Sequence, residues 1–77
     1  MYYIYRNGKL IGSSSSIDYV IEFTKLMVDK AIGTEKDVIK LKQLYQDKLV
    51  LNSPKVGISQ LQHILARLEY SLKVDIK

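Results

Sequence analysis

Two short runs of β-forming residues flank the dipeptide Asn7-Gly8 near the beginning of the chain. Asn-Gly is the most characteristic sequence of a two-residue hairpin turn, because both residues tolerate positive φ angles. The pattern therefore predicts an antiparallel hairpin over residues 2–12. The register predicted for it pairs Arg6 with Lys9, Tyr5 with Leu10, and Ile4 with Ile11.

Apolar residues then recur with a period near 3.6 in three stretches, which predict helices over residues 16–32, 35–50 and 59–72. The first stretch is apolar around most of its circumference, which is typical of the central helix of a small domain. The helical period of the second is carried by Val38, Leu41, Leu44, Tyr45 and Leu49. The first helix is predicted to begin after Ser15 or Ser16 and to end at Gly33. The second is predicted to begin at Thr34, with Asp37 in its cap, and to end at the break Asn52-Ser53-Pro54. The third is predicted to begin with a capping box of Ser59 and Gln62.

The last residues change from a helical period to strict alternation. Leu72, Val74 and Ile76 alternate with polar residues, which is the period of a strand. Two interpretations stay open: residues 72–76 form a short strand that joins the hairpin, or they are a fraying helix end. The predicted fold class is α+β, with an N-terminal β-hairpin followed by a three-helix unit in a single domain over residues 1–77.

The length of 77 residues favours one domain, and the hydrophobic content of 47% is normal for a globular chain. So small a core leaves a narrow margin of stability, which makes a homo-oligomer one expectation. The chain has no cysteine, so disulfides and thiolate metal sites are excluded and a reducing, cytoplasmic location is the expectation. The most apolar segment, residues 17–32, is interrupted by charged side chains, so no membrane association is predicted.

The formal net charge is +4, with an isoelectric point near 9.4. A basic balance favours nucleic acid, anionic lipid or an acidic protein as partner. The lysines are scattered and form no long run of like charge, which is more typical of a solvated surface.

Catalytic chemistry has little support in the sequence. His63 is the only histidine, and no aspartate lies near it in the chain to orient it for nucleophilic catalysis. The sequence has no glycine-rich phosphate loop and no pair of histidines at metal-binding spacing. We therefore predict no catalytic residue, no metal site and no cofactor.

The hairpin is the first candidate binding surface. Tyr3 and Tyr5 lie close to Arg6 and Lys9, and tyrosine and arginine are the residue types enriched at protein-binding hot spots. Tyrosines on a strand also stack the bases of single-stranded nucleic acid. Because successive residues of a strand point to opposite faces, adjacent tyrosines cannot all lie in the core.

The second candidate surface is the segment 55–69. A glycine turn is followed by a capped amphipathic helix, and this resembles the turn and recognition helix of helix-turn-helix proteins. The resemblance implies a phosphate contact at Ser59 and base-edge contacts by Gln60, His63 and Arg67. The preceding break is longer than the usual turn of this motif, and the one clear hairpin precedes the helices instead of following them as a wing.

These patterns predict a small, non-enzymatic protein-binding module, an accessory or inhibitory factor that docks on a larger protein through Tyr3, Tyr5, Arg6 and Lys9. The first alternative is a DNA-binding regulator that uses segment 55–69. The second is a self-assembling structural subunit. The short length of the chain also suits a product of a mobile element.

Overall fold

The computed structural model describes residues 1–75 and confirms the predicted α+β fold. A hairpin is followed by three helices and then by a third strand. The elements in chain order are β1 (Tyr2–Arg6), β2 (Lys9–Ser14), α1 (Ile17–Thr34), α2 (Val38–Leu51), α3 (Ile58–Arg67) and β3 (Tyr70–Val74).

The three strands form one antiparallel sheet in the order β2-β1-β3, so β1 is central. Of the two open interpretations of the tail, the strand is therefore the correct one, although it spans residues 70–74 rather than 72–76. The β1–β3 pairing continues one residue beyond the strands, where the Asp75 N–H donates to the Met1 carbonyl at 2.9 Å. Ile76 and Lys77, also part of the predicted alternation, lie outside the described residues.

The predicted hairpin turn is present at Asn7-Gly8, where both residues have positive φ, but one predicted pair is wrong. Ile4 pairs with Gly12 instead of Ile11, because Ile11 is the extra residue of a β-bulge on β2. The bulge turns the Gly12 position toward α1. There a β-carbon would overlap the Tyr19 hydroxyl, so only glycine fits without a shift of that ring.

The core lies between the sheet and the helices. Ile4 and Leu72 supply it from the sheet, and α1 contributes Val20, Thr24 and Val28 at four-residue spacing. The buried Thr24 hydroxyl donates to the Val20 carbonyl at 2.7 Å, so its polarity is satisfied within the helix. The remaining buried apolar residues are Leu44, Leu51, Leu61, Ile64 and Leu65.

The α2 face that enters the core differs from the one its apolar period indicated. Leu44, Asp47 and Leu51 are buried, whereas Val38, Tyr45 and Leu49 are exposed. The helix has apolar residues on two sides, and periodicity alone does not say which side a neighbouring helix will cover.

Two of the predicted helix ends are wrong because the chain uses other groups. α1 continues through Gly33 to Thr34, whose hydroxyl bonds back to the Lys30 carbonyl at 3.3 Å instead of capping α2. Asp37 caps α2, accepting the Ile39 N–H at 2.9 Å. At the start of α1, Ser16 is the N-cap as predicted and accepts the Asp18 N–H.

The third helix also differs at both ends. It begins after Gly57, and the side-chain oxygen of Gln60, not that of Gln62, accepts the Gly57 N–H at 2.9 Å. Gln62 instead donates to the Leu72 carbonyl of β3. The helix ends at Arg67, well before residue 72, and Glu69 adopts a left-handed φ of 69° that turns the chain into β3.

We predict that Gly33→Ala stabilises the protein by about 0.5–1 kcal/mol, because Gly33 lies in the last turn of α1 with open space around it. Urea denaturation of the variant measures the change. Gly8→Ala is the control and should be destabilising, because its φ of +79° is strained for alanine. Destabilisation by Gly33→Ala would show that α1 ends at Gly33 in solution.

Candidate functional site

The helices pack on only one face of the sheet. Ile4 and Leu72 are buried on that face, so their sequence neighbours in β1 and β3 point away from the helices. We call the other side the open sheet face. Its residues are Tyr3 and Tyr5 of β1, Leu10 and Ser13 of β2, and Ser71 and Lys73 of β3.

Three large side chains dominate the open sheet face. Tyr5 lies directly across from Leu10, which is 53% exposed, and both tyrosines are half-buried. The Lys73 ammonium group lies 5.3 Å from the centroid of the Tyr5 ring, within range of a cation–π contact. The face therefore presents an apolar centre with a cation at one side.

Arg6 and Lys9 do not share a face with Tyr3 and Tyr5. They pair across the hairpin and point to the helix side of the sheet. Sequence reasoning grouped the four as one contact through the hairpin and its basic edge, although strand alternation separates the two tyrosines from the two cations. The structure has the two pairs on opposite sides of the hairpin.

Arg6 makes contacts that hold the end of the sheet. Its guanidinium donates to the Tyr70 hydroxyl at 3.1 Å, lies 5.0 Å from the centroid of that ring, and is 4.0 Å from the Glu69 carboxylate. Tyr70 in turn donates to the Met27 sulfur at 3.2 Å and packs edge-to-face on Phe23. These contacts join β1, β3 and α1, so Arg6 has a structural role.

The residues proposed for DNA contact are only partly available on α3. Ser59 and His63 are exposed, whereas the Gln60 oxygen bonds to the Gly57 N–H. Arg67 forms a two-pronged ion pair with Asp47 of α2, through its Nε at 3.2 Å and through a terminal nitrogen. A guanidinium held in this way presents fewer donors to a base edge or a phosphate.

Asp47 is the polar core residue that sequence reasoning missed. It is only 3% exposed, and its carboxylate also accepts from the Gln43 side chain at 3.1 Å. One feature of the sequence could have indicated its burial. Gln43 and Asp47 are spaced i, i+4, at which an amide and a carboxylate can bond, and they share a helix face with Leu44 and Leu51. Three hydrogen bonds, one from Gln43 and two from Arg67, satisfy the buried charge, and those from Arg67 tie α2 to α3.

A cleft of about 310 Å³ lies beside this ion pair, between the end of α1, α2 and the end of α3. Glu35 and Lys40 line it together with Gln43. Since charges of both signs surround it, the cleft has no marked preference for an anion or a cation.

No protein-family model, curated protein or solved structure matches this chain. Among residues 1–75, no helix has the length and apolar character needed to cross a membrane.

We predict that Arg67→Ala destabilises the fold by about 2 kcal/mol, because it leaves a buried carboxylate without its cation. The cost is below that of a fully buried pair, since the Arg67 side chain is 43% exposed. A double-mutant cycle with Asp47→Ala, measured by urea denaturation, should give a coupling energy of about 1–3 kcal/mol.

The Asp29–Lys48 pair supplies the matched control, because it also joins two helices. Its side chains are 54% and 48% exposed, so its coupling energy should be below about 1 kcal/mol. Equal coupling in the two cycles would contradict the special role assigned to Asp47.

Proposed function

We propose that the chain is a non-enzymatic protein-binding module that docks on an acidic surface of a larger protein through the open sheet face. The observation that most supports this proposal is that strand pairing puts Tyr3, Tyr5 and Leu10 together on one face of the sheet, and that no described helix or strand covers this face. An accessory or inhibitory role would follow from docking alone.

The side chains of the face suit a protein partner. Tyrosine offers a large contact area at a small cost in conformational entropy, and it keeps a hydroxyl group for hydrogen bonding. Tyr5 is already restrained by Lys73 at 5.3 Å and by its cross-strand neighbour Leu10. Such pre-organisation lowers the entropy lost on binding.

The charges of the sheet support an acidic partner. The three strands contain the cations Arg6, Lys9 and Lys73 and no aspartate or glutamate. Of these, Lys73 lies on the open sheet face itself, beside Tyr5. Carboxylates at the edge of the partner surface would meet this cation and would speed association.

The test is the double substitution Tyr3→Thr with Tyr5→Thr, which removes both rings and keeps β-forming residues in the strand. Proteins captured from extracts of the source cells are identified and then titrated directly against parent and variant. We expect the variant to bind at least about 30-fold more weakly, as for loss of a hot spot. Its far-UV spectrum should be unchanged.

Leu26→Gln is the control, because it removes an exposed apolar side chain from the solvent side of α1. It should bind the partner as the parent does. Undiminished binding by the tyrosine variant would overturn the proposal.

Titration with single-stranded and duplex DNA at two salt concentrations separates the alternatives. Salt-sensitive single-strand binding that is lost in the tyrosine variant would assign the face to nucleic acid. Duplex binding that is lost in His63→Ala would instead favour the surface of α3.

A further inference from the structure

The solvent side of α2 carries four exposed large apolar side chains, and three of them are the most exposed of the described residues. Val38 is 64% exposed, Ile39 79%, Tyr45 50% and Leu49 74%. An isolated exposed apolar side chain needs no explanation, but a cluster of them on one helix indicates a surface that is covered in some state of the protein.

Three of these residues form a stripe together with Lys42. Val38, Lys42, Tyr45 and Leu49 follow one another at intervals of four, three and four residues, which is the spacing of a coiled-coil seam. We call these four residues the α2 stripe. Its intervals read the same in both directions, so the stripe is symmetric about its centre.

We propose that the α2 stripe binds the same stripe of a second copy of this chain, with the two helices antiparallel about a two-fold axis. In this arrangement Val38 of one protomer packs against Leu49 of its partner, and Lys42 lies on Tyr45 of its partner. Each contact occurs twice, as a two-fold interface requires.

The chemistry of both contacts is complementary. Val38 and Leu49 form an apolar pair, and the Lys42 stem covers the Tyr45 ring while its ammonium group contacts the ring face. A parallel arrangement would instead place Lys42 opposite Lys42 of the second copy, and like charges at such a position are unfavourable. The stripe therefore selects the antiparallel orientation.

Other charges of α2 do not oppose this pairing. Asp47 is on the buried side with Arg67, Lys48 pairs with Asp29 of α1 at 3.1 Å, and Lys40 lines the cleft beside the Asp47–Arg67 pair. The interface can form without any of these three charged side chains entering it.

The exposed area is also consistent with a second copy. A compact monomer of 8.9 kDa exposes about 4,800 Å². This chain exposes 5422 Å², an excess of about 600 Å² over that estimate. One side of a standard interface hides about 800 Å², so the pair should be a small interface in exchange with the monomer.

Analytical ultracentrifugation of the purified chain up to about 1 mM tests the association itself. We expect the average mass to rise from 8.9 kDa toward twice that value with concentration. Leu49→Glu should raise the dissociation constant at least about tenfold, because it places a carboxylate opposite an apolar side chain. Leu26→Glu, at an exposed position of α1 outside the stripe, should leave the constant unchanged.

Cross-linking tests the orientation, and the absence of native cysteine makes single-cysteine variants clean reporters. A tagged Val38→Cys protein mixed with an untagged Leu49→Cys protein should form a mixed disulfide, because the two positions are adjacent across the axis. Val38→Cys alone should not, since its two copies lie about 16 Å apart and a disulfide needs a separation of Cα atoms below about 7 Å.

A monomer at every concentration would overturn the proposal, as would equal weakening by Leu26→Glu and Leu49→Glu. Efficient cross-linking of Val38→Cys with itself would show a parallel pair and would overturn the antiparallel geometry. Association of the monomer with anionic vesicles or with an acidic helix through Leu49, without self-association, would assign the stripe to another partner.

Discussion

The pairing of β3 with β1 is the constraint on which the rest of the structure depends. β1 is the central strand, so its two edges are occupied by β2 and by β3, which lie far apart in the sequence. All three helices belong to the connection between β2 and β3. α1 and α3 pack on one side of the sheet, where Ile4 and Leu72 are buried, and α2 packs on α1. The other face is left open as a direct consequence, and Tyr3 and Tyr5 of β1 lie on it, whereas Tyr2 packs toward the core.

The same connection explains why α2 is the peripheral helix. α3 leads directly into β3 and is tied to it by the Gln62 side chain, and α1 follows directly after β2. α2 packs on α1, contributes Leu44 and Leu51 to the core, and is bonded to α3 through Asp47 and Arg67. A helix held mainly along one side leaves its opposite side in solvent, which is where Val38, Tyr45 and Leu49 are found.

Much of this fold is predictable from local signals. Asn7-Gly8 fixed the hairpin turn, and the alternation around Leu72 indicated a strand that could join it. The errors occur where a residue type typical of helix ends lies inside a helix. Gly33 and Thr34 are such residues, but they continue α1, because the Glu35 N–H still donates to the Ala31 carbonyl at 2.8 Å. The end of α3 had no glycine to mark it, since Glu69 makes the left-handed turn. The binding residues are harder to predict than the fold. Strand alternation shows that Tyr5 and Arg6 point to opposite faces of the sheet, but no pattern within a single helix shows that Arg67 contacts a buried Asp47 on another helix.

The two surfaces proposed for binding share no residue, and this has a consequence for affinity. If two chains associate through α2, each still presents its own Tyr3 and Tyr5 on the open sheet face. A partner with two docking sites, or a repeated one, would then be held by both protomers, and the second contact would form at the effective concentration set by the first. Weak contacts at each face are sufficient for tight binding under these conditions. If both proposals hold, selective binding would then not need a large interface at either surface.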